Sequence, residues 1–173
     1  DDLLGIGSMS WLAYRRIKKF NKANEIDHIP LEEPAGGTLA QGGFKISGTA
    51  DENKTLNFKI GDDEFEYSVT VVKNEVASQI ATKIIQAINT KVKNPFTASI
   101  DTGDDGLVLI SFKFAGEIGN GLIVKCTDRV LGLTFSTVPF SGGAGAYDTD
   151  DILTPLTKRY QTVIFDASMN YNA

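Results

Sequence analysis

The chain has 173 residues, 42% of them hydrophobic and 23% charged, a net charge of −5 and a single cysteine, Cys126. That balance excludes wholesale disorder, an internal disulfide framework or a multi-cysteine zinc site, and a dedicated nucleic-acid binder, which carries a basic surplus. No apolar run approaches the ~20 residues of a membrane span and no signal peptide opens the chain, so neither nucleic-acid binding nor membrane insertion is expected, and the numbers alone read as a soluble intracellular globular protein.

The chain opens at Asp1 without a Met and closes at Ala173 just past an apolar run, which reads as a piece of a longer protein. Of its 17 glycines, all but Gly5 and Gly7 lie between Gly36 and Gly145. This shift in composition divides the chain into a Gly-rich middle and two flanks.

The first flank predicts a helix capped by Ser8 or Ser10, whose hydroxyl accepts from unpaired N–H groups of the first turn. Met9, Leu12, Ala13, Ile17, Phe20 and Ala23 share one broad face, and Asn24 is the expected end. Arg15, Lys18, Lys19 and Lys22 form a narrow basic stripe on another side, with Trp11 beside it. Ile26 to Leu31 reads as a short extended run, where Pro30 argues against a central strand position.

The middle begins with the turn Pro34-Ala35-Gly36-Gly37. Phe44–Ser47, Leu56–Ile60 and Phe65–Val71 alternate apolar and polar residues, as half-buried strands do. A hairpin loop, Gly61-Asp62-Asp63-Glu64, joins the last two. A second helix is predicted from Asn74 as N-cap, with Glu75 at the positive end of the dipole. Its apolar arc holds Val76, Ala77, Ile80, Ala81, Ile84, Ala87 and Ile88. Strands resume at Phe96–Ile100, Leu107–Phe114, Leu122–Thr127 and Leu133–Val138. The expected class is α+β: a mostly antiparallel β insertion domain, 37–145, with one helix covering its sheet. It is flanked by pieces of an α/β core domain, 1–36 and 146–173. In the second flank a helix start at Asp148 or Thr149 leads to Ile152, Leu153 and Leu156, with Pro155 limiting the helix. Thr162–Phe165 has the continuous apolarity of a strand buried on both faces.

Few residues propose chemistry. Gly116-Glu117-Ile118-Gly119-Asn120-Gly121 lacks the strand-then-helix context of a phosphate loop and reads as a turn. Ser141-Gly142-Gly143-Ala144-Gly145 lacks the Gly-Lys-Ser/Thr ending of a P-loop. Asp101, Asp104 and Asp105 miss the spacing of a calcium loop and read as a solvated hairpin tip, as do Asp62, Asp63, Glu64 and Glu66. His28, the one histidine, has no nucleophile near it, and Cys126 reads as a small core or sheet residue. No catalytic, cofactor-binding or metal-binding residue is assigned, and the chain is not expected to be an enzyme or to need a cofactor. The basic stripe has two readings: a solvated helix face, or a contact with an acidic surface of a neighbouring subunit.

In order along the chain, the features resemble the contractile-tail sheath proteins of Mu-like phages and prophages. The matching stretches are Gly5-Ile6-Gly7-Ser8 before the first helix, Pro30-Leu31, and Ala35-Gly36-Gly37-Thr38-Leu39-Ala40 leading into the β region. Ser47-Gly48-Thr49-Ala50, Thr55–Gly61, Tyr67–Val71 and Ala87-Ile88-Asn89 follow. Phe114-Ala115-Gly116-Glu117-Ile118-Gly119-Asn120, the exit Gly142-Gly143-Ala144 and the run Val163-Ile164-Phe165 complete the series. Asp166-Ala167-Ser168 departs from the family's usual Pro-Tyr. The resemblance implies a structural subunit that polymerises with other sheath subunits around a tail tube protein, joins a baseplate, and contracts to drive the tube through a host envelope. It also implies a place in the virion tail after assembly in the host cytoplasm. Arg15, Lys18, Lys19 and Lys22 would be candidate inter-subunit contacts. A different reading makes the middle a surface-exposed β module that binds a host glycan or protein; an exposed aromatic patch would favour it, but Trp11, Tyr67 and Tyr147 are too scattered to form one.

Overall fold

In the alternating segments one side chain in two is apolar, so each strand can bury one face and solvate the other. The computed structural model describes residues 5, 8–22, 33–61 and 65–146, and in it these segments form two antiparallel sheets. The strands are β1 (Leu39–Gly48), β2 (Lys54–Ile60), β3 (Glu66–Val71), β4 (Phe96–Ile100), β5 (Leu107–Ala115), β6 (Val124–Cys126) and β7 (Leu133–Ser141). Helix α1 (Met9–Phe20) precedes them and α2 (Ala77–Thr90) lies between β3 and β4. One sheet has the order β4-β5-β1-β7 and the other β3-β2-β6. The class is α+β, with the strand, helix, strand succession that the periodicity predicts. The division into two sheets is a correction, because the expected single sheet would leave the inner faces of β1 and β2 without a common core.

Phe44 of β1 meets Phe58 of β2 across the sheets at 5.6 Å between ring centroids. Phe58 stacks on Tyr67, Phe65 meets Phe96 edge-on, and Phe96 lies against Phe112. Ile46, Leu56, Ile60, Val71, Val108 and Ile110 fill the space between these rings and are almost fully buried.

Helix α2 closes one side of the sandwich. Ile80, Ala81, Ile84 and Ile88 are buried, against strands of both sheets. The expected N-cap is displaced. Asn74 takes a left-handed conformation (φ 71°), which asparagine tolerates, and its N–H donates to Ala50 O; the helix begins after Val76. Val76 itself is exposed. Glu75 lies just outside the helix, where it accepts from Val72 N–H and pairs with Lys83. Burial works against the Glu75 carboxylate, but the Lys83 ammonium and the Val72 N–H outweigh it and hold its pKa below the ordinary value.

Strand edges expose unpaired N–H and C=O groups, and α2 covers two of them. The Asn89 side chain bonds both backbone groups of Ala98, each at 2.8 Å, along the outer edge of β4. Two residues earlier Asn94 does the same for Phe96 while its amide also reaches Ile88 O, and its oxygen accepts from the Tyr67 hydroxyl at 2.7 Å. Both donors and both lone pairs of the Asn94 amide are thereby used, which suits a polar side chain that is buried. Burial pushes the Tyr67 phenol pKa well up. On the other sheet Lys83 Nζ donates to Thr70 O and Lys91 Nζ to Glu66 O, along the outer edge of β3.

Strand β7 carries a bulge. Gln41 pairs with Ser141 and Gly43 with Val138, so Pro139 and Phe140 stand opposite Gly42 alone. Proline has no N–H to lose at such a place. Phe140 turns into the core over Gly42, where a Cβ would overlap its ring.

Asn94→Ala should leave the Tyr67 hydroxyl, the Phe96 N–H and two carbonyls without their partner, at a cost of about 2–4 kcal/mol in unfolding free energy. Urea denaturation of the purified variant measures this. Lys73→Ala, at an exposed site, should fall within about 0.5 kcal/mol of the parent.

Candidate inter-subunit surface

The helix that carries the basic stripe starts where Ser8 Oγ accepts from Trp11 N–H at 3.1 Å. It ends at Phe20, with Asn21 as C-cap donating to Ile17 O, rather than at Asn24. Lys18 and Lys19 fall in the last turn, where a cation meets the negative end of the helix dipole. Lys22 lies beyond the helix. Arg15, Lys19 and Lys22 are exposed, and Lys18 is half-buried. Arg15 holds its guanidinium 4.6 Å from the Trp11 ring centre, and Lys18 Nζ lies 6.0 Å from that of Tyr14. Arg15, Lys18 and Lys19 are thus presented by one helix, two of them over aromatic rings.

The apolar face differs from expectation. Trp11, placed beside the stripe by the sequence, is 8% exposed and sits 6.4 Å from Phe65, within the core cluster of the β unit. Phe20, placed on the buried face, is 86% exposed. The helix stops at Phe20, so its last turn lies outside the contact that its first turn makes. Ala13 and Ile17 are half-buried. Trp11 Nε1 is enclosed without an acceptor, a cost of about 1–3 kcal/mol offset by the large area an indole buries.

The β unit is closed at its chain ends by a neck. Thr38 and Ala144 form an antiparallel bridge through two hydrogen bonds, Thr38 N–H to Ala144 O at 2.9 Å and Ala144 N–H to Thr38 O at 3.2 Å. Thr38 Oγ1 donates to Gly142 O at 2.6 Å. The glycine loop proposed above as a turn is a short 3-10 helix, Glu117–Gly121, that braces this bridge. Asn120 bonds both backbone groups of Gly143, at 2.8 and 2.9 Å, and Gly116 N–H donates to Thr38 O. A Cβ on Gly143 would overlap Gly116 O, so this approach needs glycine.

The other candidates are occupied by structural duties. Asp101 accepts from Gly103 N–H and Asp104 from Gly106 N–H, each shaping its own turn, and Lys45 Nζ pairs with Asp104 at 2.5 Å. Hydrogen bonds from Lys45 and from Gly106 hold the Asp104 carboxyl below the ordinary aspartate pKa. Cys126 is a sheet residue but an exposed one, on the three-residue edge strand β6. Its thiol donates to Asp128 O at 3.2 Å, and burial of the sulfur pushes its pKa up, away from a reactive thiolate. Of the three scattered aromatics, Trp11 and Tyr67 are in the core and form no exposed patch. His28, the run Ile26–Leu31, Ala23, Asn24, Asp62, Asp63, Glu64 and Tyr147 lie outside the described residues, as do the helix from Asp148 or Thr149 and the strand Thr162–Phe165. Sequence reasoning did not show that Asn89, Asn94 and Asn120 hold backbone; a lone asparagine carries no periodic signal.

These are features of an α+β scaffold that presents surfaces, with its polar side chains spent on holding backbone. No protein-family model matches the chain. It is similar to the Mu-like prophage FluMu tail sheath protein of Haemophilus influenzae (strain Rd), 26% identical over 124 residues, which are 72% of this chain and 24% of that protein. The chain therefore spans about a quarter of the length of the curated relative it matches.

The Asp104 contacts stabilise the ionised carboxylate of the folded state. Their contribution is present above the unfolded aspartate pKa, about 4, and is lost as pH falls from there through the lower folded value. An NMR titration should find Asp104 below the ordinary value in the parent and higher in Lys45→Met, where only the Gly106 N–H still lowers it.

Proposed function

We propose that the chain is part of a tail sheath protein, and that the parent protein is a structural subunit of a contractile phage or prophage tail. In this reading residues 37–145 are an inserted lobe. Residues 1–36 and 146–173 contribute to the split core domain that carries it. The observation that carries the reading is the Thr38–Ala144 bridge, taken together with the tail sheath similarity. An insertion must return the chain to the place it left, and a bridge between residues next to its two ends does so.

The parent would stack in rings around the tail tube protein, from the baseplate upward, and shorten by exchanging one packed arrangement for another of lower free energy. Rings and helical stacks need head-to-tail contacts, in which different patches of neighbouring subunits meet. The exposed basic groups of α1 fit such a contact with an acidic patch, since the chain as a whole is acidic. The last turn of α1 suits this position, because Phe20 beside Lys19 adds apolar surface to the charge. Such a subunit would have no catalytic residues and no cofactor, and would reside in the virion tail after assembly in the bacterial cytoplasm.

Full-length parent protein should form tubular polymers visible by negative-stain electron microscopy. Lys18→Glu with Lys19→Glu should reduce the number of tubes at least tenfold while leaving the circular dichroism of the subunit unchanged. Tubes formed in undiminished number would remove the basic stripe from the contact. Parent protein that forms no polymer with its tube partner would contradict the sheath reading itself.

A further inference from the structure

Asn120 is followed by Gly121, and no other asparagine of the chain precedes a glycine. That pair carries a chemistry of its own. The Gly121 backbone nitrogen, after losing its proton to solvent, is a nucleophile placed to attack Cγ of Asn120. A side chain on the second residue crowds that approach, and glycine has none.

The fold does not call for glycine at 121. Its φ is not left-handed, and a Cβ there would meet nothing within 4 Å. Gly143 is the opposite case, because its approach to Gly116 O excludes a Cβ.

Two features hold the reaction off while the neck is closed. Asn120 donates through Nδ2 to Gly143 O at 2.9 Å and accepts at Oδ1 from Gly143 N–H at 2.8 Å, so the side-chain amide is pinned to the returning chain. Asn120 also lies inside the 3-10 helix Glu117–Gly121, and a helical ψ turns the next nitrogen away from the side chain. Both features end with the neck. Thr38–Ala144 is an isolated bridge beyond the end of the β1–β7 ladder, the kind of place where local opening costs least.

We propose that Asn120–Gly121 is a self-reacting deamidation site, held in check by the closed neck, whose reaction leaves the neck open. When the bonds to Gly143 let go, the Gly121 nitrogen forms a bond to Cγ. The Cγ–Nδ2 bond breaks, and Nδ2 takes up a proton from solvent and leaves as ammonia. A succinimide ring remains. Water opens it at Cγ, giving aspartate, or at the main-chain carbonyl carbon, giving isoaspartate. One water is consumed and one ammonia released, with nothing oxidised or reduced. Neither product rebuilds the clasp. A carboxylate has no hydrogen for Gly143 O and sets an oxygen against it where Nδ2 stood. Isoaspartate also lengthens the backbone by one carbon. The reaction is therefore a one-way record of neck opening, and it stands apart from the sheath reading.

The test incubates the 173-residue chain at neutral pH, folded or in guanidinium chloride, and digests samples with trypsin. The peptide Phe114–Lys125 holds Asn120 as its one asparagine. Its conversion is read as the mass difference between water and ammonia. The unfolded chain should convert at least about tenfold faster than the folded one. The slowing should match the protection of the Gly143 amide against hydrogen exchange, since both await the same opening. Gly121→Ala should keep the parent's melting temperature and convert far more slowly than the parent in guanidinium chloride, a rate that does not depend on its folding. Converted chains, separated by charge, should exchange the Thr38 and Gly143 amides faster while Ile84 and Val108 stay protected. Equal rates in folded and unfolded chains overturn the proposal, as does an Asn120 that survives in the unfolded chain. A Gly121→Ala chain that reacts like the parent, a slowing unrelated to Gly143 protection, or converted chains with the parent's exchange pattern overturn it too.

Discussion

Thr38 and Ala144 stand one strand spacing apart although more than a hundred residues separate them in the chain. Closing a loop of that length costs on the order of 4 kcal/mol in chain entropy beyond a length-independent term. The two hydrogen bonds of the bridge contribute about 1 kcal/mol each, so they do not bring the ends together by themselves. The long pairing of β1 with β7 does, from Gly48 and Leu133 back to Gln41 and Ser141. The bridge adds one isolated pair three residues further along each strand. A lobe built this way presents a host domain with two chain ends already at neighbouring positions. The proposed insertion therefore asks little of the host.

The same lobe shows how a small sandwich manages its borders. Sheets end in open backbone, and each border here meets a different solution. Asparagine amides imitate a strand along β4, ammonium groups cap carbonyls along β3, and β6 is cut short. Helix α2 and the turn that follows it supply the first two, so one element both fills the core with its isoleucines and covers two borders with its polar side chains. Among the described residues strand β7 receives none of this; its proline bulge interrupts it at one end and the Leu133 N–H, bonded to Val130 O, closes the other.

The strands and α2 were legible in the sequence because each repeats a simple period: two residues for the strands, and an apolar stripe on Ile80, Ile84 and Ile88 for the helix. Where a single residue decides, the period misleads. Trp11 lay off the apolar stripe of α1, but the indole is the largest apolar group near Phe65 and goes inside; Phe20 obeys the period but sits at the helix end, past the contact. Asn74 has the chemistry of an N-cap, yet its N–H is taken by Ala50 and the helix starts later. The two-sheet division was invisible because alternation tells which face is buried and not which strand lies across from it. The roles of Asn89, Asn94 and Asn120 were not legible because pairing with the backbone of distant residues is written in the tertiary structure. The basic stripe was visible from spacing, whereas the rings under Arg15 and Lys18 depend on how the helix lies.

The central claim is that the chain between the neck residues folds on its own, as a lobe inserted in another domain must. The most direct measurement is an amide correlation spectrum of residues 34–146 expressed alone, compared with that of the 173-residue chain. The account predicts a dispersed spectrum that overlays the larger one except around Phe65 and Phe114, which lose the company of Trp11 and Gly5. A collapsed spectrum of an unfolded polypeptide would contradict it.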